Sequence, residues 1–270
     1  MNLARARARK SLGGRARGGA LMVLLAATAA LPPPAAGASA VATPTVSVTG
    51  SVPYAPDPGD TAVTPASASC SRLHKGLDLS LYASELAFFK ADHAPDAANL
   101  LAHWWAGSGQ PVNYGATSVL AAKAAQFPGF KAMNSKVQEY VRAELAGGVS
   151  NITVPSSPSY SPTSQRPLVL MDFNDVVNFP ALYWAFRATQ GIKVTGTLKD
   201  HAGRYTGQLT YVISDTYGFR GNDSSRLTGP FTRAMNYLQT NCGHPKFTAG
   251  PLWFSDTLTV PVKFSAPGAP

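Results

Sequence analysis

The chain has 270 residues, 45% hydrophobic and only 14% charged, with a formal net charge of +9. That length and apolar content can bury a substantial core, and they exclude a low-complexity or disordered chain. The charge is unevenly placed, so its sign says little about a nucleic-acid partner until its location is known.

Six of the 23 basic residues, Arg5, Arg7, Arg9, Lys10, Arg15 and Arg17, precede an apolar run from Ala20 to Leu31. Pro32, Pro33 and Pro34 end that run, and Ala38, Ser39 and Ala40 supply small residues of the A-x-A type. Basic, apolar and small segments in this order read as a secretory signal peptide over residues 1–40. The apolar run is about a dozen residues, short of the roughly 20 needed to span a bilayer, so no stable membrane insertion is expected after cleavage. Losing those six bases leaves 17 against 14 acids, a net charge of +3. Such a charge offers no argument for nucleic-acid binding.

Residues 41–69 are rich in Pro, Ser, Thr and Val and read as a flexible leader. Residues 70–154 read as a helical region. Asp78 is placed to cap a helix carrying Leu79, Tyr82, Leu86 and Phe89, and Asp96 a second carrying Leu100, Leu101, Trp104 and Trp105. A third helix is expected from Ser118 to Gln126. A fourth carries Phe130, Met133, Val137, Tyr140 and Val141 and stops at Gly147 and Gly148. Residues 155–167 form a proline-rich connection.

The period then falls to two over residues 168–265. Leu182, Trp184, Phe186 and Ala188 suggest one strand, Ile192 to Leu198 a second, and Tyr205, Leu209, Tyr211 and Ile213 a third. A short helix is expected from Pro230 to Thr240. A last strand carries Leu258, Val260, Val262 and Phe264, with Pro261 favouring a sheet edge. Residues 266–270 read as a loose tail. The expected fold is α+β: a helical N-terminal half followed by an antiparallel β-meander with one packed helix.

Cys70 and Cys242 are the chain's two cysteines. In an oxidising compartment they are expected to pair. The closed loop of about 170 residues corresponds to roughly 5 kcal/mol in the chain-entropy description.

No G-x-S-x-G, H-E-x-x-H, phosphate-cradling loop or G-x-G-x-x-G occurs. Neither a metal site nor a cofactor is expected. Asp172, Asn174 and Asp175 read as a cap or turn rather than a cation site. None of His74, His93, His103, His201 and His244 has a second His at helical ligand spacing. The stretch Asp215 to Phe219 is the main chemical candidate. Counting by twos from Ile213 puts Asp215 and Tyr217 on the apolar face, where desolvation can raise a carboxylate's pKa and suit it to acid–base work. Asp223 and His244 are the candidate assistants. The Asp215-x-Tyr217 layout after a hairpin is loosely similar, over about five residues, to the catalytic stretch of colicin M-type bacteriocins. That resemblance implies cleavage of a lipid-linked cell-wall precursor. The family has a second Asp directly after the Tyr, where this chain has Gly218, and a His further on with no nearby counterpart here.

Two functions follow. One is a secreted, extracellular binding or interaction module whose ligand the sequence does not identify, cell-wall or carbohydrate material being one candidate, with Trp104, Trp105 and Trp253 as stacking surfaces. The other is a secreted, envelope-directed hydrolase or toxin using Asp215 as acid or base.

Overall fold

Side chains alternate along every long strand, and that alternation decides which face of the sheet carries the core. In the computed structural model the described residues are 43–52, 72–91, 94–107, 109–156, 178–186, 189–219, 229–242 and 253–267. They build six strands and six helices in interleaved order. The strands are β1 (Thr45–Val52), β2 (Val112–Tyr114), β3 (Asn151–Val154), β4 (Gly191–Asp200), β5 (Arg204–Gly218) and β6 (Trp253–Pro267). The helices are α1 (Arg72–Ala91), α2 (Pro95–Ala106), α3 (Val119–Gln126), α4 (Pro128–Ala146), α5 (Pro180–Phe186) and α6 (Gly229–Asn241).

One mixed sheet joins the strands in the order β2-β6-β5-β4-β1-β3. β4, β5 and β6 form an antiparallel meander, and β1 pairs antiparallel with β4. Both short edge strands run parallel to their neighbours, β3 to β1 and β2 to β6. The turn from β4 to β5 is tied by Asp200, whose Oδ1 accepts from the Gly203 amide at 2.9 Å. Gly203 sits at φ 77°, a left-handed conformation that glycine adopts without a Cβ penalty.

The inward face carries Val46 and Val48 of β1, Ile192, Val194 and Leu198 of β4, and Leu209, Tyr211 and Ile213 of β5. Phe254, Leu258, Val260 and Phe264 of β6 complete it. Helices pack on this face. In α4, Phe130, Met133, Val137, Val141 and Leu145 recur every three or four residues and all are buried, as a one-sided helix requires. Phe130 meets Tyr211 edge-on at 5.2 Å, and the Tyr211 hydroxyl donates to Asn134 Oδ1 at 2.9 Å. Ser118 caps α3 by accepting from the Ala121 amide at 3.1 Å, and Pro128 occupies the first turn of α4. Among the described residues, no helix is long and apolar enough to cross a membrane.

Several expectations are corrected. The fold is α+β, but there is no helical N-terminal half followed by a separate meander. β1 precedes the first helix, and β2 and β3 lie within the stretch read as helical. Residues 45–52, read as leader, are β1, an interior strand between β4 and β3. Its alternation of Thr and Ser with Val46 and Val48 is that of a half-buried strand, obscured by the prolines and glycines around it. Leu182 to Phe186 is helix, not strand. In it Ala181, Leu182, Ala185 and Phe186 are buried together at i, i+1, i+4 and i+5, a pattern that alternate-residue counting over a short run mistakes for period two. Asp78 lies inside α1, which begins at Arg72, and α2 starts from Ala94 and Pro95 with Asp96 in its first turn. Pro261 does lie at an edge, because β2 stops pairing with β6 at Leu258.

Val48 is the test of β1's place in the core. Val48→Ala is expected to cost about 2 kcal/mol, read as a lowered denaturant midpoint at unchanged slope. A leader outside the fold would show no change.

Candidate active site

Antiparallel register sets the chemistry of the last two strands. β5 and β6 pair residue for residue from Arg204 with Pro267 to Gly218 with Trp253, and in this ladder Asp215 stands directly opposite Asp256. Both belong to the inward-facing set, between Ile213 and Tyr217 on one strand and between Phe254 and Leu258 on the other. Directly opposed residues place their Cβ atoms about 5 Å apart on the same face. Asp215 is 4% exposed and Asp256 is 0% exposed.

Their partners differ. Asp215 Oδ1 accepts from the Thr216 amide at 2.7 Å. Neither carboxylate oxygen of Asp256 has a hydrogen-bond partner among the described residues. Burial pushes the Asp256 carboxyl well above its usual range, the neighbouring Asp215 pushes it further, and only its own backbone pulls the other way. Two carboxyls held this way favour a state in which a proton is retained.

Tyr217 and Tyr114 lie within electrostatic reach of Asp256, and Glu85 and Tyr82 within reach of Tyr217. Tyr217 is buried and stacks on Phe254 with centroids 5.4 Å apart. Its hydroxyl is driven up by burial first, then by Asp256, Tyr114, Glu85 and Tyr82, so it stays protonated and can donate. Tyr114 of β2 is raised by burial and then by Asp96 and Asp256, and its hydroxyl donates to the Asp96 carbonyl at 3.3 Å. Glu85 and Tyr82 of α1, three residues apart and hence on one helix face, are each raised by burial. Beyond β5 the chain is fastened by α6, where Gln239 Nε2 donates to the Phe219 carbonyl at 2.6 Å. Phe219 meets Trp104 edge-on at 4.6 Å.

The residues singled out in the sequence are distributed as follows. Asp215 and Tyr217 share the inward face. Asp223 and His244 lie outside the described residues, as do Asp172, Asn174 and Asp175. Trp104 is fully buried, with no hydrogen-bond partner for its Nε1 among the described residues, so its ring belongs to no exposed patch. Trp105 is half-buried and stacked on Tyr82 at 4.0 Å. Trp253 opens β6 opposite Gly218, and its side chain lies outside the described residues. Cys242 packs against the core and is not a free thiol, while Cys70 lies outside the described residues. No group of three metal-ligating side chains occurs among the described residues.

Asp256 escaped the sequence reading. Phe254, Asp256, Leu258 and Val260 alternate without a break, but the continuous apolar alternation that marks the last strand begins only at Leu258. Tyr114, Glu85 and Tyr82 carry no local signal, since only the tertiary fold brings β2 and α1 to this end of the sheet.

Asp256 makes stability pH-dependent with an unusual sign. Unfolding returns its carboxyl towards the ordinary value of 3.8, so above that pH the folded chain binds more protons than the unfolded one. The stability linked to this group is complete in acid and is lost as pH rises through the raised folded value, with a slope of at most about 1.4 kcal/mol per pH unit for one proton. Asp256→Asn is expected to flatten that fall in urea titrations run at a series of pH values.

No family model matches the chain, and neither curated proteins nor solved structures give a match.

Proposed function

We propose that the chain is an exported hydrolase whose acid–base pair is Asp215 and Asp256, acting on cell-envelope material. The observation that carries this reading is the direct opposition of two buried carboxyls, one of them with no hydrogen-bond partner among the described residues. Burying such a pair is costly and does nothing for the core that two apolar residues would not do better. Strongly perturbed carboxyls concentrate where protons are moved.

The pair holds one proton between two carboxyls. The ionised member takes a proton from water as the water oxygen attacks the scissile centre. The protonated member gives its proton to the departing group, and the pair ends with one proton, as it began. Tyr217, kept protonated by burial, is the neighbouring donor to the oxygen on which negative charge develops.

Export rests on the basic, apolar and small segments of residues 1–40, and a Cys70–Cys242 bond is part of the same reading. Secreted protein is expected to begin after Ala40 by N-terminal sequencing. It should take up no alkylating reagent until it is unfolded and reduced. An intact Met1, or two thiols that react in the folded state, overturns the extracellular part of the proposal.

The catalytic part is tested by release of soluble fragments from purified cell-wall material. Asp215→Asn and Asp256→Asn are each expected to lower the rate about 100-fold or more, with Asp256→Asn retaining or gaining stability. Unchanged turnover in either variant removes the pair from the chemistry.

A further inference from the structure

The register that sends two carboxyls inward also sends a different set of residues outward. Outward positions of β1 are Thr45, Ser47, Thr49 and Ser51, and those of β3 are Asn151 and Thr153. On β4 they include Lys193, Thr195, Thr197 and Lys199. On β5 they include Arg204, Thr206, Gln208 and Thr210, and on β6 Ser255, Thr257, Thr259, Lys263 and Ser265. These positions align across strands. Thr153, Thr49, Thr195 and Thr210 form one row, and Asn151, Ser47, Thr197, Gln208 and Lys263 form the next. Lys193, Lys199, Arg204 and Lys263 are all exposed, and no outward position of these five strands is Asp or Glu. Asp200, at the hairpin turn, accepts from the Gly203 amide. A shallow depression lies over the middle of the face, lined by Ser47, Thr49, Thr195, Thr197, Gln208 and Thr210.

We propose that this outward face binds an acidic polysaccharide. The inference is independent of the Asp215–Asp256 pair, which faces the other way. Four cations without an acid give the face a positive field that suits a chain of carboxylate- or phosphate-bearing sugars. Rows of hydroxyl and amide groups suit the sugar hydroxyls between those charges, since each can donate and accept. Lys193 and Lys199 are six residues apart on β4, about 20 Å along the strand, so the fitting ligand is an extended oligomer rather than one sugar. Among the described outward side chains of these strands none is aromatic, so the face lacks the stacking platforms by which single-stranded nucleic acid is held.

The test is binding of a polygalacturonate oligomer to the purified protein, compared with neutral dextran and with single-stranded DNA. Polygalacturonate is expected to bind, more weakly as salt rises, with dextran not detected and DNA weaker. The variant combining Lys193→Gln, Lys199→Gln and Lys263→Gln changes only exposed side chains and is expected to lose about tenfold in affinity, from three small surface contributions. Thr195→Val combined with Thr210→Val, which removes hydroxyls and leaves charge untouched, is expected to weaken polygalacturonate binding without altering its salt dependence. Absence of polygalacturonate binding, equal binding of dextran, tighter binding of DNA, or a lysine variant of native affinity would each overturn the proposal.

Discussion

The pairing of β5 with β6 is the constraint on which the rest of the molecule turns. Along fifteen residues the two strands stay in step, and because strand side chains repeat every two residues, one choice of register assigns every side chain to a face. That choice puts Tyr211, Ile213 and Leu258 against the helices, and it cannot do so without carrying Asp215 and Asp256 in as well. A slip of one residue by β5 would place Asp215 in water and expose Leu209, Tyr211 and Ile213 with it. The apolar residues therefore hold the carboxyls in a place that the carboxyls alone would not choose.

What surrounds the pair explains how this is tolerated. Tyr217 stacked on Phe254, and Phe219 wedged against Trp104, form a rigid aromatic wall, and close-packed interiors yield little to relieve a misplaced charge. The relief available is chemical rather than mechanical: the carboxyl keeps its proton. Burial likewise lifts the phenols of Tyr217 and Tyr114, so both stay protonated at ordinary pH and can donate.

Legibility in the sequence followed the length of each pattern. α4, β4 and α6 are long enough to show their period close to their true limits, whereas β5 runs on to Gly218, past the Ile213 at which its apolar alternation ends. β2 and β3 have three and four residues, below the length at which alternation can be seen, and they are held by pairing with β6 and β1. β1 shows alternation, but its setting among prolines argued the other way, and its partners lie about 100 residues or more downstream. Asp215 was legible because Leu209, Tyr211 and Ile213 led up to it by twos. Asp256 was not, because an acid at the start of an apolar run looks like the residue before the strand. Trp104 and Trp105, adjacent in the chain, could not be told apart by sequence, yet one is enclosed and the other half-open.

The brevity of β2 has a consequence for how this molecule behaves among its own copies. Past Leu258 the outer side of β6 has no described neighbour, leaving a row of backbone groups of the kind that templates fibre growth. Along this open margin stand Pro261, which offers no amide hydrogen, Lys263, which repels a second copy of itself, and Pro267 at the end. Each of these prolines removes an amide donor that an added strand from a second copy would need.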